Sequence, residues 1–274
     1  MLTFIVTHVG KFVQFYVLYA IHSAVYFEVT CIEDHLLMHS QYDRDFNHLS
    51  GWPLYILTVF YYYKACTSSP GPIRSNWEKY CIEDKYGLTP CLRCKKTKPF
   101  RSSHCRRCKV CISRRDHHCV FTNNCIGYAN HKSFLWFLVF GFLGSMHFIV
   151  RGGFWIYEWY VGENLIDYST FYVSVFTVHV YNMMGFAGLL GYLALKTVKN
   201  IHSNSVTMDS WAEKSCCGDS PLNGYDLGAV HNWTILLGEN PFLWFSPYPP
   251  SKYSVTLGPD FPRKPELFNL YCGN

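Results

Sequence analysis

Ten residues able to bind a soft metal crowd between Cys91 and Cys125: seven cysteines (Cys91, Cys94, Cys105, Cys108, Cys111, Cys119, Cys125) and three histidines (His104, His117, His118). Cys91-x2-Cys94 and Cys105-x2-Cys108, with histidines between, have the spacing of tetrahedral zinc sites. One zinc takes four ligands, so two closed sites consume eight of the ten and leave one Cys and one His over. A spare thiol beside a spare imidazole, with Asp116 adjacent, has the composition of an activated nucleophile: thiolate, base and a carboxylate that orients the base. Stoichiometry leaves open which Cys and which His are spare. A zinc-stabilised binding module of RING or ribbon type, with every thiol structural, draws on the same residues.

The full run is Cys91-x2-Cys94, Lys98-Pro99-x-Arg101-x2-His104-Cys105-x2-Cys108-x2-Cys111-x4-Asp116-His117-His118-Cys119, then Asn123-Asn124-Cys125. It resembles the cysteine-rich domain of DHHC-type protein S-acyltransferases, the integral-membrane palmitoyltransferases. The resemblance is dense over residues 91–134, ending at Asn130 and Phe134. It implies one zinc on Cys91, Cys94, His104 and Cys111 and a second on Cys105, Cys108, His118 and Cys125. It leaves Cys119 as nucleophile, His117 as base and Asp116 as its orienter. Acyl-CoA is the implied co-substrate, with its phosphates expected at Arg101, Lys98 and Lys132. Protein cysteines, cytosolic or membrane-attached, are the implied acceptors; nucleic acid is not an expected partner. A catalytically dead relative serving as a zinc-braced membrane scaffold, and a membrane-anchored RING-type ligase, are the rival readings.

Two looser matches lie in the tail. Val206-Thr207-Met208-Asp209 stands where the family has T-T-x-E, with Val for the first Thr and Asp for the Glu. Asn223-Gly224-Tyr225-Asp226-Leu227-Gly228, followed by Asn232, resembles the family's C-terminal element, whose Asn ties the tail to the core. Thr207, Asp209 and Asn232 are accordingly expected to be structural. Phe121 stands where the family usually has Trp, which removes an indole N–H donor.

A nucleophile of this kind needs a frame, and the rest of the chain is apolar. Charged residues are 16% of the 274 and aromatics 18%, a balance that fits apolar spans separated by polar segments. Residues 3–27, about 48–66, 133–150 and 169–195 are expected to cross a bilayer, each near the roughly 20 residues required. The third ends at Arg151, followed by a polar turn over 152–168; Pro53 sits early in the second. A cleaved signal peptide is disfavoured at the N-terminus, because no basic residue precedes the apolar run and no A-x-A site follows it.

Loops 29–47 and 152–168 hold one Lys or Arg between them, whereas residues 64–132 hold fifteen, which places the Cys-rich block on the cytosolic side. Nine of the thirteen cysteines fall between Cys66 and Cys125, seven of them in the metal-ligand block, and a reducing cytosol agrees with that. Asn232-Trp233-Thr234 fits a glycosylation pattern but is expected on the wrong side of the membrane for it. Cys272 lies one residue short of a prenylation motif, and Cys216-Cys217 is a juxtamembrane thiol pair.

The expected fold is an all-α integral membrane protein with four transmembrane helices and a small cytosolic zinc domain of loops and short β-hairpins. Its parts are 1–66 (two helices with a lumenal loop), 67–132 (cysteine-rich domain), 133–196 (two helices) and 197–274 (cytosolic tail). The expected membrane is the Golgi or the endoplasmic reticulum. No internal repeat is expected, and no glycine loop shaped for phosphate.

Overall fold

The computed structural model describes residues 2–33, 41–73, 89–98, 101–161, 169–208 and 225–250. The chain divides into two compact units, residues 1–62 with 136–195 and residues 63–135 with 196–274.

The first unit is helical. Helix α1, Leu2–Phe27, continues as a π turn to Glu33; α2 is Gln41–Thr67, α3 His131–Val161 and α4 Thr170–His202. Among the described residues, three helices are long and apolar enough to cross a membrane: Val9–Thr30, His131–Val161 and Thr170–His202. Helix α2 is not among them. Its 27 residues have the length, but Trp52, Pro53, the Tyr61–Tyr63 run and Lys64 dilute the apolar stretch, so the fourth span expected at 48–66 is not carried by composition. Because α2 begins at Gln41, within the stretch expected as a loop, Pro53 lies well inside the helix.

Helix α3 does not stop at Arg151. Its side chain is held inside the unit: Arg151 Nε donates to Asn47 Oδ1 at 3.2 Å, and Asn47 Nδ2 donates to Glu28 Oε1 at 2.7 Å. With the cation partnered, the helix runs ten residues further to Val161, and Trp155 packs edge-on against Phe176 at 4.6 Å. Aromatic contacts knit the rest, among them Phe27 against Phe176 and Tyr61 stacked on Phe140. A cavity within this unit is lined by Ile21, Tyr55, Gly141, Gly144, Phe148 and Met183, among others. A Cβ at Gly141 would meet Leu190 Cδ1 at 2.9 Å, so the end of that leucine would have to give way; at Gly144 the nearest atoms are at an ordinary 3.8 Å.

The second unit has three antiparallel hairpins: β1–β2 (Thr89–Cys91, Lys96–Lys98), β3–β4 (Ser102–Cys105, Val110–Ser113) and β5–β6 (His117–Cys119, Asn124–Ile126). Such short strands bury too little to stand alone. Ile112 and Ile126, both fully buried, make the small apolar centre. Gly127 is dictated by closeness: a Cβ would collide with Pro70 O and lie 2.6 Å from Ile112 Cγ2. Asn130 caps the entry to α3, accepting from Gly127 N at 3.0 Å and donating to Cys125 O at 2.9 Å. The tail adds helix α5, Ala229–Leu237, and a 3-10 turn at Pro241–Leu243.

Candidate active site and metal centres

The hairpins repeat with a period of fourteen residues. Cys91, Cys105 and Cys119 end the first strand of each, and their cross-strand partners are Lys96, Val110 and Asn124. Each four-residue turn closes on a residue with positive φ: Lys95 (53°), Lys109 (58°) and Asn123 (48°). In the first two turns the backbone N–H three residues on points at the leading sulfur, Cys94 N to Cys91 Sγ and Cys108 N to Cys105 Sγ, both 3.4 Å. This repeat, not expected from the sequence, was readable in the equal spacing of Cys91, Cys105 and Cys119.

Metal ligands are shared between consecutive hairpins. Cys91 and Cys94 in the first turn converge with His104 and Cys111, a cross-strand pair of the second hairpin. Cys105 and Cys108 in the second turn converge with His118 and Cys125, the matching pair of the third. In each group all four ligand atoms lie within 4.8 Å of one another. Neighbouring atoms are 3.3 Å (Cys94 Sγ to His104 Nδ1), 3.7 Å (Cys94 to Cys111), 3.5 Å (Cys108 to His118) and 3.6 Å (Cys108 to Cys125) apart. A tetrahedral zinc, about 2.3 Å from sulfur and about 2.0 Å from nitrogen, separates its ligands by roughly 3.5–3.8 Å. Burial, and then the thiols of Cys91 and Cys94, push Cys111 up to about 12, so three thiolates cannot coexist there unless a cation balances them. The donor sets fit two metal ions.

The third turn has no following hairpin to complete it. Thr122 stands where Cys94 and Cys108 stand in the other two, and Cys119 belongs to neither ligand group. Its surroundings are those of a nucleophile. His117 Nδ1 and Asp116 Oδ2 are 2.8 Å apart, which leaves the other ring nitrogen for the Cys119 sulfur. Burial alone would raise the Cys119 thiol; the His117 hydrogen bond and charge, with the Thr122 backbone N–H and then its hydroxyl, outweigh it and lower the thiol below its ordinary value. His117 is raised to about 9, because Asp116 and Cys119 overcome a burial that acts the other way. Asp116 is held well below the carboxylate range despite burial, by His117 and by Thr207 N, which donates to Oδ1 at 2.6 Å. Phe134 packs edge-on against the His117 ring at 5.5 Å.

Anchors hold the third hairpin. Opposite Cys119, Asn124 Nδ2 reaches the carbonyls of Ala65, Cys66 and Ser68 at 2.9–3.2 Å, closing the C-terminal end of α2. Asn204, fully buried with φ 47°, is the hub of the tail. Its Oδ1 accepts from Arg101 Nη1 (3.0 Å) and Arg114 Nη2 (2.9 Å), its carbonyl from Arg101 Nη2 (2.6 Å), and its Nδ2 donates to Tyr225 O (2.8 Å). Arg101 also lies over the Tyr225 ring at 4.2 Å. Asn232 Nδ2 donates to His202 O (2.6 Å) and Asp226 Oδ1 (2.7 Å), and Oδ1 accepts from Leu227 N (3.1 Å). Val206 is buried; Asp209, Cys216, Cys217 and Cys272 lie outside the described residues.

The three residues expected at the acyl-CoA phosphates all have protein partners. Arg101 and Lys132, expected at the acyl-CoA phosphates, are buried, the first on Asn204 and the second on carbonyls of the tail. Lys98, half-buried, donates to Ser102 O at 3.0 Å. A basic segment reads the same in sequence whether its cations face solvent or carbonyls.

Comparison with known proteins agrees with the geometry. Residues 84–214 match the DHHC palmitoyltransferase family. Palmitoyltransferase PFA3 of Yarrowia lipolytica is 26% identical to this chain, over 75% of the chain and 58% of that relative's own length.

Proposed function

We propose that the chain, whose residues 84–214 match the DHHC palmitoyltransferase family, moves a long-chain fatty acyl group, palmitoyl above all, from acyl-CoA to protein cysteines through an acyl-enzyme on Cys119. The observation that carries the reading is a thiol left outside two four-ligand groups and hydrogen-bonded to an imidazole that is itself held by a carboxylate.

The chemistry needs a thiolate and positioning, since exchanging one thioester for another conserves bond energy. His117 takes the Cys119 proton, and Asp116 fixes its tautomer and stabilises the imidazolium. The Cys119 sulfur attacks the acyl carbonyl; its S–C bond forms, the S–C bond to coenzyme A breaks, and His117 returns the proton to the departing thiolate. In the second half His117 takes the proton of a substrate cysteine, whose thiolate attacks the acyl-enzyme and releases Cys119. The Thr122 N–H, aimed at the sulfur in each half, favours the anion.

Two zinc ions would sit on Cys91, Cys94, His104 and Cys111 and on Cys105, Cys108, His118 and Cys125, and closed sites of this kind are structural. An acyl chain needs an apolar slot, and the cavity inside the helical unit, beside Gly141 and Gly144, has that character. Four spans, with α2 as the fourth, put the hairpins and both termini on the cytosolic side of a Golgi or endoplasmic reticulum membrane, as the basic bias of residues 64–132 requires. A zinc-braced scaffold without activity is the competing reading. Purified protein incubated with labelled palmitoyl-CoA separates them: transferase activity predicts a hydroxylamine-labile label on wild type and none on Cys119→Ser, whereas the scaffold predicts none on either.

A further inference from the structure

Beyond α5 the chain turns back as a strap over the start of α3. Lys132 Nζ, in the first turn of α3, donates to the carbonyls of Leu237 (3.1 Å), Leu243 (2.6 Å) and Tyr248 (3.5 Å). Ser133 Oγ donates to Pro247 O (3.1 Å), and Tyr128 OH to Ile235 O and Pro250 O (both 3.4 Å). Inside the strap, Phe242 N donates to Asn240 Oδ1 (3.0 Å) and Trp244 Nε1 to Gly238 O (3.1 Å). With so many carbonyls turned inward, the side chains on the other side are driven out. Phe242 is 95% exposed, Tyr248 66%, Leu243 57% and Phe245 55%. From Asn240 to Pro250 there is no charged residue. Scattered exposed apolar side chains need no explanation; four in seven residues, on a backbone pinned by a buried ammonium, form a continuous patch.

Its place in the fold says what covers it. The strap is tied to the first turn of α3, a helix apolar from Phe134 onward and long enough to cross a membrane. Lys64, in the last turn of α2, lies over the Tyr248 ring at 5.4 Å. The patch is thus held level with the point where α3 enters the apolar phase, where aromatic rings and snorkelling cations are favoured. We infer that residues 241–248 are an interfacial anchor, with Phe242, Leu243, Phe245 and Tyr248 set among the phospholipids of the leaflet that α3 enters at its N-terminus. The occupant is the acyl–headgroup boundary, and no anionic lipid is required, because the strap itself carries no cation.

The test uses the full chain in nanodiscs of phosphatidylcholine containing a fraction of phosphatidylcholine with a diazirine on its acyl chain. After photolysis, lipid adducts are mapped by peptide mass spectrometry. Adducts are expected on residues 241–248 as well as on 134–150 of α3, which report insertion of the same molecules. Paired Phe242→Glu and Phe245→Glu substitutions should cut the strap adducts at least about fivefold while those on α3 stay unchanged. Wild-type protein labelled on α3 but not on the strap would overturn the inference, and so would strap crosslinks to a second copy of the chain in place of lipid. Strap adducts indifferent to the paired substitution would overturn it as well.

Discussion

Thr122 stands to Cys119 as Cys94 stands to Cys91 and Cys108 to Cys105: three residues on, in the same turn, with its backbone N–H aimed at the sulfur. The Cys119 turn is a metal-binding turn with its second sulfur replaced and no following hairpin to supply the other two ligands. The same backbone that shapes a zinc ligand also stabilises a free thiolate. If the N–H is the group that matters, Thr122→Ala keeps it, and alkylation of Cys119 by iodoacetamide should stay within about threefold of wild type. His117→Ala should slow it by about tenfold or more, since a free thiol is only a few per cent ionised at neutral pH. A reversed order of effects would remove the imidazole from the account.

Asp116 serves two masters, the His117 ring and the Thr207 backbone. Asp116→Asn retains the shape and loses the charge, so autoacylation is expected to fall by roughly 10²-fold or more while circular dichroism and zinc content are unchanged. A fall in zinc content or fold along with activity would make Asp116 a structural residue.

Asn204 is the acceptor for two buried guanidinium groups. Asn204→Ala removes the side-chain oxygen that both share, at roughly 1–3 kcal/mol for each lost acceptor, while keeping the carbonyl that accepts from Arg101, and a thermal melt should drop by several degrees. Gly127→Ala, which forces a Cβ onto Pro70 and Ile112, should be destabilising by a similar order. Unchanged melting of both would mean that neither contact is held in solution.

Gly144 lines the cavity and has room for a Cβ, whereas Gly141 lacks it. Gly144→Val should therefore fold and, by filling the cavity, lower the use of palmitoyl-CoA relative to shorter acyl-CoAs. Equal loss across an acyl-CoA panel would place the acyl chain elsewhere.

What was legible in the sequence was local. Spacing showed ligands enough for two sites, and the family resemblance sorted them into the groups the hairpins bring together, because a hairpin turn and its neighbour fix each group within twenty-one residues. The apolar runs gave α1, α3 and α4, since a bilayer span needs only length and hydropathy. What failed was whatever depended on a distant partner. Arg151 looked like a helix end because its acceptor, Asn47, lies 104 residues away. That Arg101 and Lys132 are buried was not legible either, because Asn204 and Leu243, 103 and 111 residues on, are needed to show it. Asn204 itself, two residues before Val206, carried no mark of its role.

The account rests on Cys119 being the one thiol of the zinc hairpins that is free to carry an acyl group. Mass spectrometry of the purified chain after reaction with palmitoyl-CoA tests this directly, with native spectra counting metal and peptide mapping locating the thioester. Two zinc ions per chain and a hydroxylamine-labile palmitoyl group on Cys119 are predicted. Acyl groups on another cysteine with Cys119 unmodified, or a Cys119 protected from alkylation until zinc is chelated, would contradict it.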